Sequence, residues 1–530
     1  MDTSSSLPNA LDLSGHLSYV SRNRFASPLK DIFKYMGTPG MISLAGGLPH
    51  PSLFPFVEAN VSIYPPSVNV QHGEVPPTSD LLTLSIPKVA PKRGELDLSS
   101  VLQYGDCSGL PELRTFLHKF TQDVYQPAYG NWEIQLNEGN TASWTKVVRL
   151  LCDPGEHILL EEFTFPSAMG PWVPQDCKGV PVKMDGRGLR ADDLEHVLST
   201  WELTHPGIKR PHVLYTIPCA QNPTGSTMDA ERKQDVYRIC QQFDVVIVED
   251  SPYEALQFRP FEITPEPAAP VEQNGEEFRQ ALVPSFLRFD TDGRVIRLES
   301  FSKTLAPGSR LGYFVANPLF TERLLRGTEV ESQTPSGWSQ SIVSRMLHTW
   351  GQDGYLEWLS RLRDAYELRR NIMCAALAKR YVALPAEKYA AAVPGCEGVA
   401  LYPLGTDPAS IKPDQLPVAS FVPPAGGMFL WIKYYVSAAP GFKKLLEAGN
   451  ADPEATFMHD MWTALAENLV LLTPGSYYVP FSGKDKVTTT ERDAERGIGF
   501  FRFAFSYGDR DEMEEGIRRV EEVTKRLWQY

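Results

Sequence analysis

The sequence predicts an α/β protein. It has a large domain with a mostly parallel central sheet over about residues 100–335 and a smaller α+β domain formed by about residues 340–530 together with an N-terminal arm, residues 1–60. Three observations lead there. From about residue 104 to 330, apolar strand-like runs alternate with helix-like stretches, the pattern of a parallel sheet covered by helices. Residues 157–161, 211–218 and 245–250 are largely apolar runs, the first and third ending in a carboxylate, as buried parallel strands do. The amphipathic stretch 357–373 has the length and period of a long helix leading into a second domain, whose strand and loop landmarks are residues 426–432 and 468–475.

Taken in order, the first of these elements opens at Glu138-Gly139-Asn140-Thr141-Ala142-Ser143, where a glycine and small polar residues begin an amphipathic helix. The N–H groups and dipole of such a helix start can meet an anion. The strand at 157–161 leads to Phe165. The strand at 211–218 runs into Asn222-Pro223-Thr224-Gly225, either an ordinary turn or a way of holding the Asn222 amide at a fixed angle, since the residue before proline is confined to extended geometry. The strand at 245–250 delivers Asp250 at its C-terminal end with Tyr253 just beyond. Ligands of open α/β sheets bind at those ends, although a lone aspartate there also serves as a helix cap.

Residues 298–313 then place Ser300, Ser302, Lys303 and Arg310 in one short apolar-flanked run. Lys303 reads either as a surface lysine or as one that forms a Schiff base. The serines and the fixed guanidinium charge favour the second reading, because they supply a phosphate site beside the amine. Together this is the chemistry of an anchor for pyridoxal 5′-phosphate (PLP). A buried Asp250 would keep the cofactor's pyridinium protonated, and Tyr253 would reach its phenolic oxygen.

In order and spacing, Asn222, Asp250, Tyr253, Lys303 and Arg310 resemble the fold type I PLP-dependent enzymes, specifically the class I and II aminotransferases. The resemblance runs from residues 41–49 to 501–506. Residues 21–30 and 42–49 narrow it to the aromatic, kynurenine and 2-aminoadipate aminotransferase subgroup, most like its fungal aromatic members. It implies that Tyr104 crosses to a neighbouring subunit's cofactor phosphate, making a homodimer with shared active sites. It also implies that Asn140 and Thr141 contact the phosphate and that Phe165 stacks on the ring, where most relatives carry tyrosine. Stacking needs only the flat apolar face, and the competing role for Phe165 is core packing.

Arg502 lies among Phe500, Phe501 and Phe503, where a guanidinium is costly to desolvate without a partner. By the resemblance that partner is the substrate α-carboxylate; a structural salt bridge is the alternative. The N-terminal segment, including Lys30, Gly47 and Leu48, would select the side chain with Tyr104 as an aromatic wall, Lys30 standing where relatives often have arginine.

The expected reaction is ping-pong transamination through a Lys303 Schiff base, moving the amino group of phenylalanine, tyrosine, tryptophan or a related donor to 2-oxoglutarate. The alternatives are another specificity or lyase chemistry on the same scaffold, or a ligand sensor. A sensor would need a DNA-binding module of roughly sixty or more residues, and only about forty precede Ile42.

Composition agrees. A net charge of −14 argues against nucleic-acid binding. Seven cysteines without paired spacing fit a reducing compartment, and Cys107 is expected as a packed thiol unless it borders the site. No run of about eighteen apolar residues predicts a membrane span, and the scattered histidines predict no metal site. The first residues lack signal and transit character, so the cytoplasm is the expected location. Four stretches, 64–99, 258–292, 383–419 and 482–496, are turn-rich or charged and are expected as surface insertions.

Overall fold

A computed structural model describes every residue except 1–6, 29–34, 36–37, 43, 46, 69–79, 93, 265, 268, 270, 272 and 482–486. Its first two strands, β1 (Glu58–Ile63) and β2 (Leu82–Pro87), form an antiparallel hairpin. The central sheet follows: β3 (Glu133–Asn137), β4 (His157–Glu161), β5 (Lys178–Val182), β8 (Val213–Thr216), β9 (Val246–Asp250), β10 (Val295–Ser300) and β11 (Gly312–Ala316), with a small hairpin of β6 (Met184–Asp185) and β7 (Gly188–Leu189) at its side. The seven strands lie in the order β3-β11-β10-β9-β8-β4-β5. Their pairings are parallel except for those of β11, which runs antiparallel to both neighbours.

The predicted α/β class is borne out, and the reason for the continuous apolar runs is visible. Val245 and Ile247 enter one core cluster while Val246 and Val248 enter another, so both faces of the sheet are covered and alternation with polar residues disappears.

A second sheet, entirely antiparallel, is built from β12 (Tyr381–Pro385), β13 (Val399–Pro403), β14 (Ala419–Phe421), β15 (Phe429–Tyr434), β16 (Thr473–Pro474) and β17 (Gly499–Ala504), in the order β12-β13-β14-β15-β17-β16. It has its own apolar core, including Leu430, Ile432, Phe501 and Phe503. The long helical stretch Gly337–Arg380 joins the two sheets, bending at Gly351, whose φ of 68° is outside the helical range. Trp358 of this stretch donates its indole N–H to the Thr304 carbonyl at 2.7 Å, tying down the residue next to Lys303.

The expectation of surface insertions is corrected for three of the four stretches. Residues 64–99 contain β2 and bury Leu84, Ile86 and Leu98, residues 383–419 contain β13 and parts of β12 and β14, and residues 258–292 bury Phe278, Phe286 and Leu287 completely. Their proline and turn residues punctuate short structured elements, which composition alone does not distinguish from loops.

Beneath the lysine loop, Arg297 is fully buried and meets Glu249 at 3.0 Å and Glu299 at 2.5 Å. The first pair crosses from β10 to β9 and the second lies along β10, and together they fix the strand that ends at Ser300.

Candidate active site

Polar side chains gather where β8, β9 and β10 end, the edge at which a parallel sheet leaves backbone groups and side chains for a ligand. Asp250, the last residue of β9, is buried. It caps no helix: its Oδ1 accepts the Asn140 amide at 2.6 Å and its Oδ2 accepts the Tyr215 hydroxyl at 2.5 Å. Burial pushes its carboxyl up to about 6, while the two hydrogen bonds pull it down.

The Asn140 amide also donates to the Leu298 carbonyl at 3.0 Å, so its side chain positions Asp250, while its backbone N–H lies in the first turn of helix Asn140–Leu151. Thr141 is exposed in the same turn.

That helix start carries no side-chain cap and no acidic residue in its first turn. Gly139, with φ 92°, lies so close to Arg310 that a Cβ there would stand 2.7 Å from the guanidinium. Arg310 donates to the Glu138 carbonyl at 2.9 Å and to the Ser302 hydroxyl at 3.3 Å, and Ser302 is in turn 2.8 Å from the Ser300 hydroxyl. Open N–H groups, a guanidinium and a hydroxyl thus converge on one anion cradle.

Lys303 is half-buried beside it, with no hydrogen bond or ion pair among the described residues. Its amine is held below the usual lysine range, first by burial and then by the charges of Arg310 and Arg502. The amine therefore feels two fixed positive charges, one of them at the cradle.

Arg502 lies on β17 and donates to the Asn222 amide oxygen at 2.9 Å. Its guanidinium stacks 4.0 Å above Phe429 and 5.1 Å from Tyr478. No carboxylate among the described residues forms a salt bridge with it, and its Nε is buried without a partner. The structural salt bridge is thus absent and one side of the fork is open. Tyr253 is buried between the charges of Asp250 and Arg502, and burial drives its hydroxyl strongly up, so it is a neutral donor.

Phe165 is partly buried against the upper core cluster, leaving some of its ring uncovered. Tyr104 is 56% exposed, and its backbone N–H donates to the side chain of its neighbour Gln103. Gly47 is exposed with nothing packed against it, and Leu48 is half-buried. Lys30 lies outside the described residues. Cys107 is buried.

Tyr215 and Glu161 escaped sequence reasoning. Glu161 is fully buried with its carboxyl pushed up to about 7 by burial. It accepts from Thr216 at 2.7 Å and from the Gln221 amide at 3.0 Å, bracing the turn that presents Asn222. A polar residue within an apolar strand was the available signal, but the partner depends on strand register.

These residues fit PLP. The cradle matches a phosphate, the buried Asp250 a pyridinium nitrogen, and the unpaired Lys303 amine an aldehyde carbon. Gly139→Ala is expected to push Arg310 off the cradle and weaken PLP affinity by about tenfold, measured by titration of the cofactor-free protein, because the new methyl meets the guanidinium in a backbone conformation that alanine resists.

Tyr215→Phe is expected to raise the Asp250 pKa further and shift the acid limb of kcat/KM upward, with about a tenfold loss at neutral pH. Because the folded-state pKa of Asp250 exceeds the unfolded value, the folded protein holds the extra proton. In the cofactor-free chain, stability then falls as pH rises from about 4 to about 6, by on the order of 2–3 kcal/mol. Asp250→Asn is expected to flatten that window in urea titrations.

A model of the family described as aminotransferase class I and II matches residues 75–410. Over 519 residues, covering 97% of this chain and 98% of the relative, the sequence is 37% identical to an aromatic amino acid aminotransferase of Schizosaccharomyces pombe. It is 34% identical over 455 residues to an L-tyrosine:2-oxoglutarate aminotransferase of Tapinella panuoides, covering 84% of this chain and 79% of that one. The crystal structure of aminotransferase Aro8 from Candida albicans superposes with a TM-score of 0.84 at 34% identity, over 99% of this chain and all of that one.

Proposed function

Since this chain belongs to the class I and II aminotransferase family, we propose that it is a PLP-dependent aminotransferase that moves the amino group of an aromatic amino acid to 2-oxoglutarate. The observation that carries the reading is the pair of cations with no carboxylate partner among the described residues: Arg502, with its Nε unbonded, and Lys303, whose amine feels the charges of two guanidinium groups.

Arg502 binds the α-carboxylate shared by every amino acid and 2-oxo acid, and the Asn222 bond holds the fork in place. That fixes the orientation of the bonds at Cα. The lowered proton affinity of Lys303 makes its Nζ a base that takes the proton from Cα and returns one in the opposite half-reaction. Bound PLP supplies the electron sink for the charge left at Cα. Asp250 would hold the proton on the ring nitrogen, Tyr253 and Asn222 would donate to the ring oxygen, and Phe165 would cover its face. The phosphate would lie on the helix start at Asn140 and Thr141, with Ser300, Ser302 and Arg310.

Exposure of Tyr104, Ile42, Leu44 and Leu53 in one chain supports a homodimer in which Tyr104 reaches the partner's phosphate. Side-chain choice is assigned to the segment with Lys30, Gly47 and Leu48. No helix among the described residues is long and apolar enough to cross a membrane; the proposed location is the cytoplasm.

The test is a donor panel of phenylalanine, tyrosine, tryptophan, kynurenine and 2-aminoadipate with 2-oxoglutarate, measuring glutamate and the oxo acid formed. Equal yields of the two products, with aromatic donors preferred, support the reading. Ammonia without glutamate identifies elimination chemistry instead.

A further inference from the structure

A second cavity of about 210 Å³ lies in the cleft between the two sheets, lined by neither Lys303 nor Asp250 nor Arg502. It has room for a small molecule, since a single water takes only about 30 Å³. On one face of the small sheet Arg502 is paired with Trp431 in register, and Phe500 with Lys433 two residues further along. Trp431 and Phe500 stack with their rings 5.1 Å apart and Phe163 closes on both, making an aromatic floor to the cavity.

Of the charged side chains that line the space, Asp185 pairs with Arg232, Lys433 with Glu495, and Glu397 accepts the Gly186 N–H, which leaves Glu162 and Arg492 facing it with no ion pair among the described residues. The charge of Arg492 is felt first by Glu162, yet no carboxylate among the described residues forms a salt bridge with the guanidinium, which also makes no hydrogen bond there. Both groups are displaced by burial in the direction that disfavours charge, so each gains from an opposite charge placed between them. The other cation of the wall, Lys433, is already neutralised by Glu495 at 2.5 Å.

We propose that this cleft is a second ligand site, for a free α-amino acid with an apolar or aromatic side chain: the carboxylate on Arg492, the ammonium on Glu162 and the side chain on the Phe163, Trp431 and Phe500 floor. The ligand would bridge the two sheets. It would also touch Thr224, whose hydroxyl donates to the Gln221 side-chain amide oxygen at 2.8 Å, one residue from Asn222. Occupancy is therefore coupled to the turn that holds Arg502 and acts as an effector signal.

Equilibrium dialysis of labelled α-methyl-L-phenylalanine against the PLP-loaded protein tests this. The probe is a zwitterion with no Cα proton to remove, so it accumulates without turnover. Two molecules per chain are expected for the unaltered protein and one for Arg492→Ala. Glu162→Gln, nearly identical in shape, is expected to weaken the same site by about tenfold. Arg502→Ala should lose the other molecule and keep this one, which separates the cleft site from the catalytic reading. The proposal is overturned if the unaltered protein binds one molecule, or if Glu162→Gln and a folded Arg492→Ala both bind as the unaltered protein does.

Discussion

Lys303→Ala is expected to reduce turnover by at least about 10⁴-fold while leaving the protein folded, because no other base in the site can take over at Cα. The neighbours make this specific. Tyr253 is held neutral by burial, and Asp250 has both oxygens engaged by Asn140 and Tyr215. Lys303 itself donates no hydrogen bond among the described residues, so its removal costs little packing and the far-ultraviolet spectrum and unfolding midpoint should change little. A small primary amine added to the solution is expected to restore a fraction of the activity by taking the vacated place. Full turnover in the variant, with the visible absorbance of the bound cofactor unaltered, would sink the assignment of Lys303.

Arg502→Ala is expected to lower kcat/KM by about 10³-fold for the amino acid and for the oxo acid alike, since both are held by the same α-carboxylate. Truncating the guanidinium removes a charge-assisted pair and frees the Asn222 amide that it orients. Arg502→Lys should recover only a small part, because an ammonium is a point charge without a planar fork. The stacked faces of Phe429 and Tyr478 fit a flat guanidinium better than a tetrahedral one. PLP affinity is expected to stay close to normal, as Arg502 is not one of the cradle residues. A loss confined to one of the two substrates would contradict the shared-carboxylate role.

The way each side chain reaches the site explains why some of it could be read in advance. Asp250, Asn222 and Lys303 sit at or just after apolar strands, and the rule that ligands meet a parallel sheet at its strand ends converts sequence position into place. Their roles toward the cofactor rest on the family resemblance together with this geometry. Asn140 shows where such reading stops. Its position at the helix start was legible, but its amide turns toward Asp250, 110 residues away, because a buried carboxylate needs donors more than an exposed anion site needs one further side chain.

The sequence by itself determined the α/β class, the strands and the residue types that follow them, because these depend on hydrophobic period, chain punctuation and residue type over short spans. Tertiary structure alone decided which groups meet across elements: the Tyr215 and Asn140 clamp on Asp250, the Glu161 brace behind Asn222, the open fork of Arg502, and the cleft closed by Arg492 and Glu162. Those contacts follow from the β8–β9 register and from how the second sheet packs against the first, and both are set by long-range burial that no local pattern encodes.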